Sequence, residues 1–282
     1  MASSTDPGPE IVAAWLLAHT GNDPASFFGR VIRKSVDEVL DGPRTGRWDY
    51  ERLEKTEKTY VGTKLEIVAR TELGLEPARF MDLDIEGFPV DIKWSKTSAW
   101  QIPREAVGEL CLCIGGMKKM TYFQVGIVRC DVEHLNLGRN RDGKTTISPA
   151  GRAAMRVIVP PTPIPPNFVA DMDPNIRYDV MREPTIQKRV TRLFQALPRQ
   201  PIPRNAVRTV AQTEGDPMRR LRADDHAGDP LRGYKVLSAK YANKVVQALG
   251  YPALAKDEFM AIPVAEILSL PLPQRRESGL DL

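Results

Sequence analysis

The chain has 282 residues and a mass of 31.5 kDa, enough for one large domain or two ordinary ones, and 42% hydrophobic residues exclude wholesale disorder. A formal net charge of +4 says little about partners on its own, but its distribution says more. Between Arg182 and Arg222 ten Lys/Arg stand against Glu183, Glu214 and Asp216, a local excess of +7 that favours a polyanionic partner.

In chain order, MASSTDPGPE is turn-rich and expected to be loose. The apolar run IVAAWLLA is too short to span a bilayer, and no signal peptide is expected. A helix is predicted from Pro24 through FFGRVIRKSVDEVLDG, with Gly42 as its stop. KTEKTYVGTKLEIVARTELGL predicts a second helix from Leu65, Val68 and Leu73, and this helix would carry Glu66.

Residues 81–95, MDLDIEGFPVDIKWS, alternate with period two. Leu83, Ile85, Val90, Ile92 and Trp94 would share a buried face of a hairpin that reverses at Gly87. The other face collects Asp82, Asp91 and Lys93 on neighbouring strands. Two readings stay open at this point: an ordinary solvated face, or a site that binds metal and phosphate. Asp84 and Glu86 also lie on this acidic side and read as solvated charges.

PREAVGELCLCIGG is expected to begin helical at Pro103 and end in an apolar run, and TYFQVGIVRC reads as a buried strand. The three cysteines, Cys111, Cys113 and Cys130, lack zinc-ligand spacing and read as reduced core residues, which suits a cytoplasmic protein. Trp100 reads as core rather than as a stacking platform. GRNRDGKTTISPAGRAAM forms a basic loop leading to a short helix. It carries Arg139, Arg141 and Lys144 as candidate DNA contacts, against the plainer reading of a surface loop.

Five prolines between Pro160 and Pro166 predict a stiff, extended linker. The expected division is residues 1–160, a linker over 161–177, and a second domain over 178–282. In that second domain TIQKRVTRLFQAL predicts a helix. NAVRTVAQTEGDPMRRLRA predicts two more around a turn at Glu214–Asp216, a helix-turn-helix pattern with Arg204, Arg208, Arg219, Arg220 and Arg222 as candidate DNA contacts. GYKVLSAKYANKVV and EFMAIPVAEI would supply strands of a wing.

Hard Mg²⁺ prefers one or two carboxylates plus waters and phosphate oxygens. Asp82 and Asp91 meet that need, with Lys93 to orient the attacking water and screen charge. Glu66 could complete the ligand set or act on the water. Helix, hairpin, helix and strand together give a mixed α/β core.

A carboxylate, a short gap and then D-x-K on the paired strand is the PD-(D/E)xK nuclease pattern. The chain more specifically resembles the NaeI-type restriction endonucleases. The resemblance is carried by KTEKTYVGTKLEI, MDLDIEGFPVDIKWS, WQIPREAVGELCLCI, GRNRDGK with SPAGR, and RVTRLFQAL followed by RTVAQTEGDPMRRLR. It covers about residues 48–225 and becomes vague after about Tyr234. It implies that the family's four active-site residues fall on Glu66, Asp82, Asp91 and Lys93, with Glu66, Asp82 and Asp91 as Mg²⁺ ligands. It also implies an N-terminal endonuclease domain and a C-terminal DNA-binding domain resembling that of catabolite-activator proteins. A homodimer acting on double-stranded DNA follows from it, with a second bound DNA site that promotes cleavage and a loosely expected GC-rich palindrome as target. A cognate DNA methyltransferase acting on the same site is the further partner considered. Lys55, Lys58 and Lys64 would lie beside the active site and contact phosphates, or else be solvated lysines at a helix start.

The alternatives are a nuclease for modified or mismatched DNA and a non-catalytic helix-turn-helix regulator. The regulator has no need to gather three acids near a phosphate. No GxxxxGK[ST] loop supports a nucleotide hydrolase, no further cofactor is expected, and no membrane contact is expected.

Overall fold

The computed structural model describes residues 6–138, 140–218, 231 and 233–278. The chain forms two compact units. One comprises Met1–Val39 and Leu53–Pro165, the other Leu40–Arg52 and Pro166–Leu282. The first four helices are α1 (Gly8–His19), α2 (Pro24–Leu40), α3 (Gly42–Thr45) and α4 (Lys55–Glu72). No described helix is long and apolar enough to cross a membrane.

The first unit is built on a mixed five-stranded sheet. Its strands are β1 (Leu83–Ile85), β2 (Phe88–Ser95), β4 (Leu110–Met117), β5 (Tyr122–Arg129) and β7 (Arg156–Pro163), in the order β1-β2-β4-β5-β7. Only β2 and β4 run parallel; the other neighbours are antiparallel. A two-stranded ribbon pairs β3 (Gln101–Ile102) with β6 (Thr145–Thr146), and the short α5 (Pro149–Ala154) follows.

The hairpin turns over two residues, Glu86 and Gly87, with φ of 53° and 81°. Two successive positive φ angles suit the right-handed twist of the flanking strands. Glu86 therefore belongs to the turn rather than to a strand face, and Asp84 Oδ1 secures that turn by accepting from Gly87 N at 3.0 Å. Asp84 and Glu86 are both exposed.

The structure differs from sequence expectation in three places here. The segment after Pro103 forms only a 3-10 turn, Arg104–Ala106, and the apolar run beyond it is β4, buried on both faces as an interior strand must be. The proline-rich stretch is not an extended linker throughout. Its first part is β7, which pairs only with β5, and an edge strand tolerates proline because one side needs no donor. The charged side of the hairpin is not solvated along its length either, because β2 lies inside the sheet and Asp91 is only 6% exposed.

Trp100 is core, as its sequence context suggests: it is buried, and Nε1 donates to the Ile114 carbonyl at 2.9 Å. It packs with Ile102, Cys111, Cys113, Val128 and Cys130, and all three cysteines are free and buried.

The second unit contains α6 (Phe168–Asp171), α7 (Pro174–Met181), α8 (Ile186–Ala196) and α9 (Arg204–Ala211). Its three-stranded sheet has the order β8-β10-β9, from β8 (Ile202–Pro203), β9 (Tyr234–Ser238) and β10 (Glu258–Pro263). Val169, Val190, Leu193, Phe194, Val207 and Val210 anchor one core. The two segments expected to supply wing strands each divide. The first is a strand to Ser238 and then a kinked helix over Ala239–Ala248; the second is a strand to Pro263 and then a helix over Val264–Ser269.

Candidate active site

Two elements of the first unit bring the candidate residues together. Helix α4 starts on a reciprocal cap, in which Glu54 N donates to Glu57 Oε2 at 2.8 Å and the Glu54 side chain accepts in return. Leu65, Val68 and Ala69 are buried, α4 packs on β2, and Gly62 lies beside Trp94. That packing leaves Glu66 half-buried and within electrostatic range of Asp82, Asp91 and Lys93.

The hairpin supplies the rest. Leu83 pairs with Val90, so Asp82, just ahead of β1, stands across from Asp91. Asp82 Oδ2 accepts a hydrogen bond from Ile92 N at 2.7 Å. Lys93 Nζ lies 2.6 Å from Asp91 Oδ2, with the lysine side chain 19% and the aspartate side chain 9% exposed. In the parallel ladder Asp91 pairs with Cys111 and Lys93 with Cys113, so both charges share a face with the cysteine-lined core. This placement, invisible from the alternation alone, explains their burial.

The electrostatics follow from that position. Burial pushes Glu66 up to about 7, with the nearby Asp82 carboxylate adding to the rise. Burial likewise raises Asp91 to about 6, against the opposing pull of Lys93. Burial disfavours the Lys93 ammonium, but Asp91 and Asp82 outweigh it and its pKa is raised. Three carboxylates crowded around one ammonium make a field that a divalent cation would relieve.

The donor set fits a hard cation. It consists of carboxylate oxygens, and Asp91 Oδ2 is buried and takes no aligned hydrogen bond even though it is ion-paired to Lys93. Among the described residues, however, no group of three or more His, Cys, Asp or Glu side chains is gathered closely enough to form a protein-only metal cage. One or two carboxylates with the remaining positions left to water and phosphate is the arrangement Mg²⁺ favours.

The candidate DNA contacts fall into several groups. Lys55 is exposed at the start of α4 and Lys58 is half-buried on its first turn. Lys64 is paired with Glu38 at 2.7 Å, which raises its pKa and commits it locally. Arg141 and Lys144 are exposed on a tight loop in which Asn140 Oδ1 accepts from Asp142 N and Lys144 N, while Asn140 Nδ2 donates to Gln101. In the second unit Arg204 lies over the Phe259 ring and near Asp216 and Asp257, and Arg208 is half-buried one turn on. Arg139, Arg219, Arg220 and Arg222 lie outside the described residues.

Sequence reasoning missed two features. The Ile92 amide that holds Asp82 was readable from the register, once a two-residue turn at Glu86–Gly87 is assumed. Arg189, counted among the basic charges, instead donates to the carbonyls of Val210, Ala211 and Glu183 and closes the C-terminus of α9. No local pattern marks that role.

Comparison with known proteins agrees with the order of motifs. The family model described as Restriction endonuclease NaeI matches residues 12–269. A curated relative, the Type II restriction enzyme NaeI of Lentzea aerocolonigenes, is 31% identical over 245 residues, covering 83% of this chain and 77% of the relative. The chain belongs to the NaeI family of restriction endonucleases.

Proposed function

We propose that this protein is a type II restriction endonuclease that hydrolyses phosphodiester bonds of double-stranded DNA at a specific site in the presence of Mg²⁺. The observation that carries the reading is the Asp82–Asp91–Lys93 constellation on one hairpin, with Glu66 of α4 in range.

Asp82 and Asp91 would hold the cation, with Glu66 of α4 in range to complete the set through water or to act on that water, and the Ile92 amide keeps the Asp82 carboxylate turned toward β2. Bound Mg²⁺ supplies charge neutralisation and Lewis acidity at the phosphate. Lys93 orients the attacking water and neutralises charge that develops on the phosphate oxygens. Its pairing with Asp91 fixes the ammonium in place beforehand, so little reorganisation is needed during reaction. One P–O bond forms to the water oxygen and one to the departing nucleotide breaks.

The first unit is the endonuclease domain in this reading, built on a PD-(D/E)xK core. The second is a helix-turn-helix domain that engages another copy of the DNA site and promotes cleavage. The reading extends to a homodimer, a GC-rich palindromic target and a methyltransferase that protects the same site, as the resemblance of the motifs implies. Arg141 and Lys144 of the first unit, and Arg208 with Arg219, Arg220 and Arg222 of the second, are the cations placed on DNA.

The test is incubation of purified protein with unmethylated, GC-rich plasmid in Mg²⁺, beside a Lys93→Ala control. Discrete fragments from the wild type alone are expected. Intact plasmid, with cutting only of methylated DNA, transfers the reading to a modification-dependent nuclease. Salt-sensitive binding without scission of either DNA leaves a non-catalytic binder.

A further inference from the structure

The eight residues between the C-cap of α4 and β1, after Gly74, follow no regular structure. They connect the helix that bears Glu66 to the strand that follows Asp82. Within them Phe80 is 76% exposed, more than any other aromatic among the described residues. The Arg79 guanidinium sits 5.2 Å from the centre of that ring. A single exposed phenylalanine is ordinary on a surface; what singles this one out is the guanidinium held against its ring two residues ahead of a proposed catalytic carboxylate.

The surrounding cations sharpen the point. Lys93 is paired with Asp91, Lys64 with Glu38 and Lys34 with Glu72. Arg70, one helical turn beyond Glu66, lies in electrostatic range of that carboxylate. Arg79 has no carboxylate or hydrogen-bond partner among the described residues; its contact is the Phe80 ring. It stands three residues from Asp82, which puts its Cα within about 10 Å of that residue's. A polyanion approaching three carboxylates needs compensating positive charge nearby, and an uncommitted guanidinium can grip a phosphate with two donors.

We propose that Arg79 and Phe80 form a DNA-contacting finger beside the active site. Arg79 holds a backbone phosphate next to the scissile one, and the Phe80 ring packs on the adjoining sugar and base edge. Stacking beneath the guanidinium keeps Arg79 extended before DNA arrives, which lowers the ordering cost of the contact. The assignment rests on the nuclease reading above.

The experiment compares wild type, Arg79→Ala, Arg79→Lys and Phe80→Ala. Steady-state cleavage of unmethylated GC-rich plasmid in Mg²⁺ gives kcat and KM. Binding of a duplex spanning the mapped cut site, with Ca²⁺ in place of Mg²⁺, is followed over a series of salt concentrations. Both alanine variants are expected to raise KM about tenfold, the equivalent of one lost contact, with a smaller change in kcat. Arg79→Ala should lower the salt slope by about one, Arg79→Lys should restore the slope, and Phe80→Ala should weaken binding with the slope intact. These residues are exposed, so unchanged thermal unfolding should accompany those losses. A wild type that cuts while both alanine variants match its KM and salt slope overturns the finger and leaves the nuclease reading standing. A wild type that neither cuts nor binds the plasmid overturns both.

Discussion

The Asp82 carboxylate is tied to the backbone amide of Ile92 by a 2.7 Å hydrogen bond, which holds it on the strand that carries Asp91 and Lys93. A side chain just ahead of β1 is thereby positioned by the strand beside it. The acid and the lysine that would share a phosphate are fixed by one hairpin, and a single register sets their spacing.

On the proposed assignment, loss of Lys93 separates chemistry from binding. Lys93→Ala should cut plasmid ~10²–10⁴-fold more slowly, while duplex affinity in Ca²⁺ stays within a few-fold. Single-turnover cleavage and equilibrium binding on the same duplex check this. Near-normal cleavage would falsify the active-site assignment.

Glu66 gives a pH dependence of stability in metal-free protein. Its folded-state pKa, about 7, lies above the ordinary 4.5, so the folded state holds this proton more tightly than the unfolded chain does. Stability therefore falls as pH rises from 4.5 toward 7 and stays lowered above that. Glu66→Gln cannot ionise. It should stabilise the metal-free protein at about pH 8 by on the order of 1 kcal/mol, discounted for partial exposure, and give no gain near pH 4. Denaturant melts in chelator at the two pH values measure the difference; an equal effect at both would remove the burial argument.

If the proposed site holds Mg²⁺, adding the ion at about pH 8 should raise the melting temperature of the wild type, because a ligand of the folded state alone stabilises it. The rise should shrink in Asp91→Asn, which keeps the side-chain shape and loses the charge. Equal Mg²⁺ shifts in both proteins would place the cation elsewhere.

Gly115 sits where β4 meets the loop carrying Ser98 and Trp100. A Cβ there would fall 2.4 Å from Ser98 Oγ and 2.7 Å from Trp100 Cζ2. The indole is locked by its own hydrogen bond and cannot yield easily. Gly115→Ala should cost about 1–3 kcal/mol of stability. Chemical denaturation reads this directly, and an unchanged midpoint would mean the loop is softer than its packing implies.

In the second unit, Arg189 closes α9 by donating from Nε to Val210 O and from an Nη to Ala211 O, each at 2.8 Å. A lysine retains the charge and loses the fork. Arg189→Lys should destabilise this unit by about 1–3 kcal/mol through the carbonyls left without a donor. Hydrogen exchange at the amides of α9 reports it locally, and protection equal to wild type would argue that water replaces the guanidinium without cost.

Much of this protein was determined by its sequence alone. Alternation from Leu83 to Trp94 around Gly87 specified a hairpin, because a period of two allows no other half-buried element. Helical spacing placed Glu66 on α4, and the order of the motifs pointed to the family. Tertiary structure decided what local pattern cannot encode. Alternation names two faces without saying what covers each, and only the parallel pairing of β2 with β4 buries Asp91 beside Cys111 and brings about the raised pKa values. The prolines after Val159 forbade a helix or an interior strand, yet only the sheet could show a vacant edge where they fit. Arg189 looked like one more cation for DNA until packing turned it inward to the carbonyls of α9. Composition counts charges, but the fold decides which of them remain available to a partner.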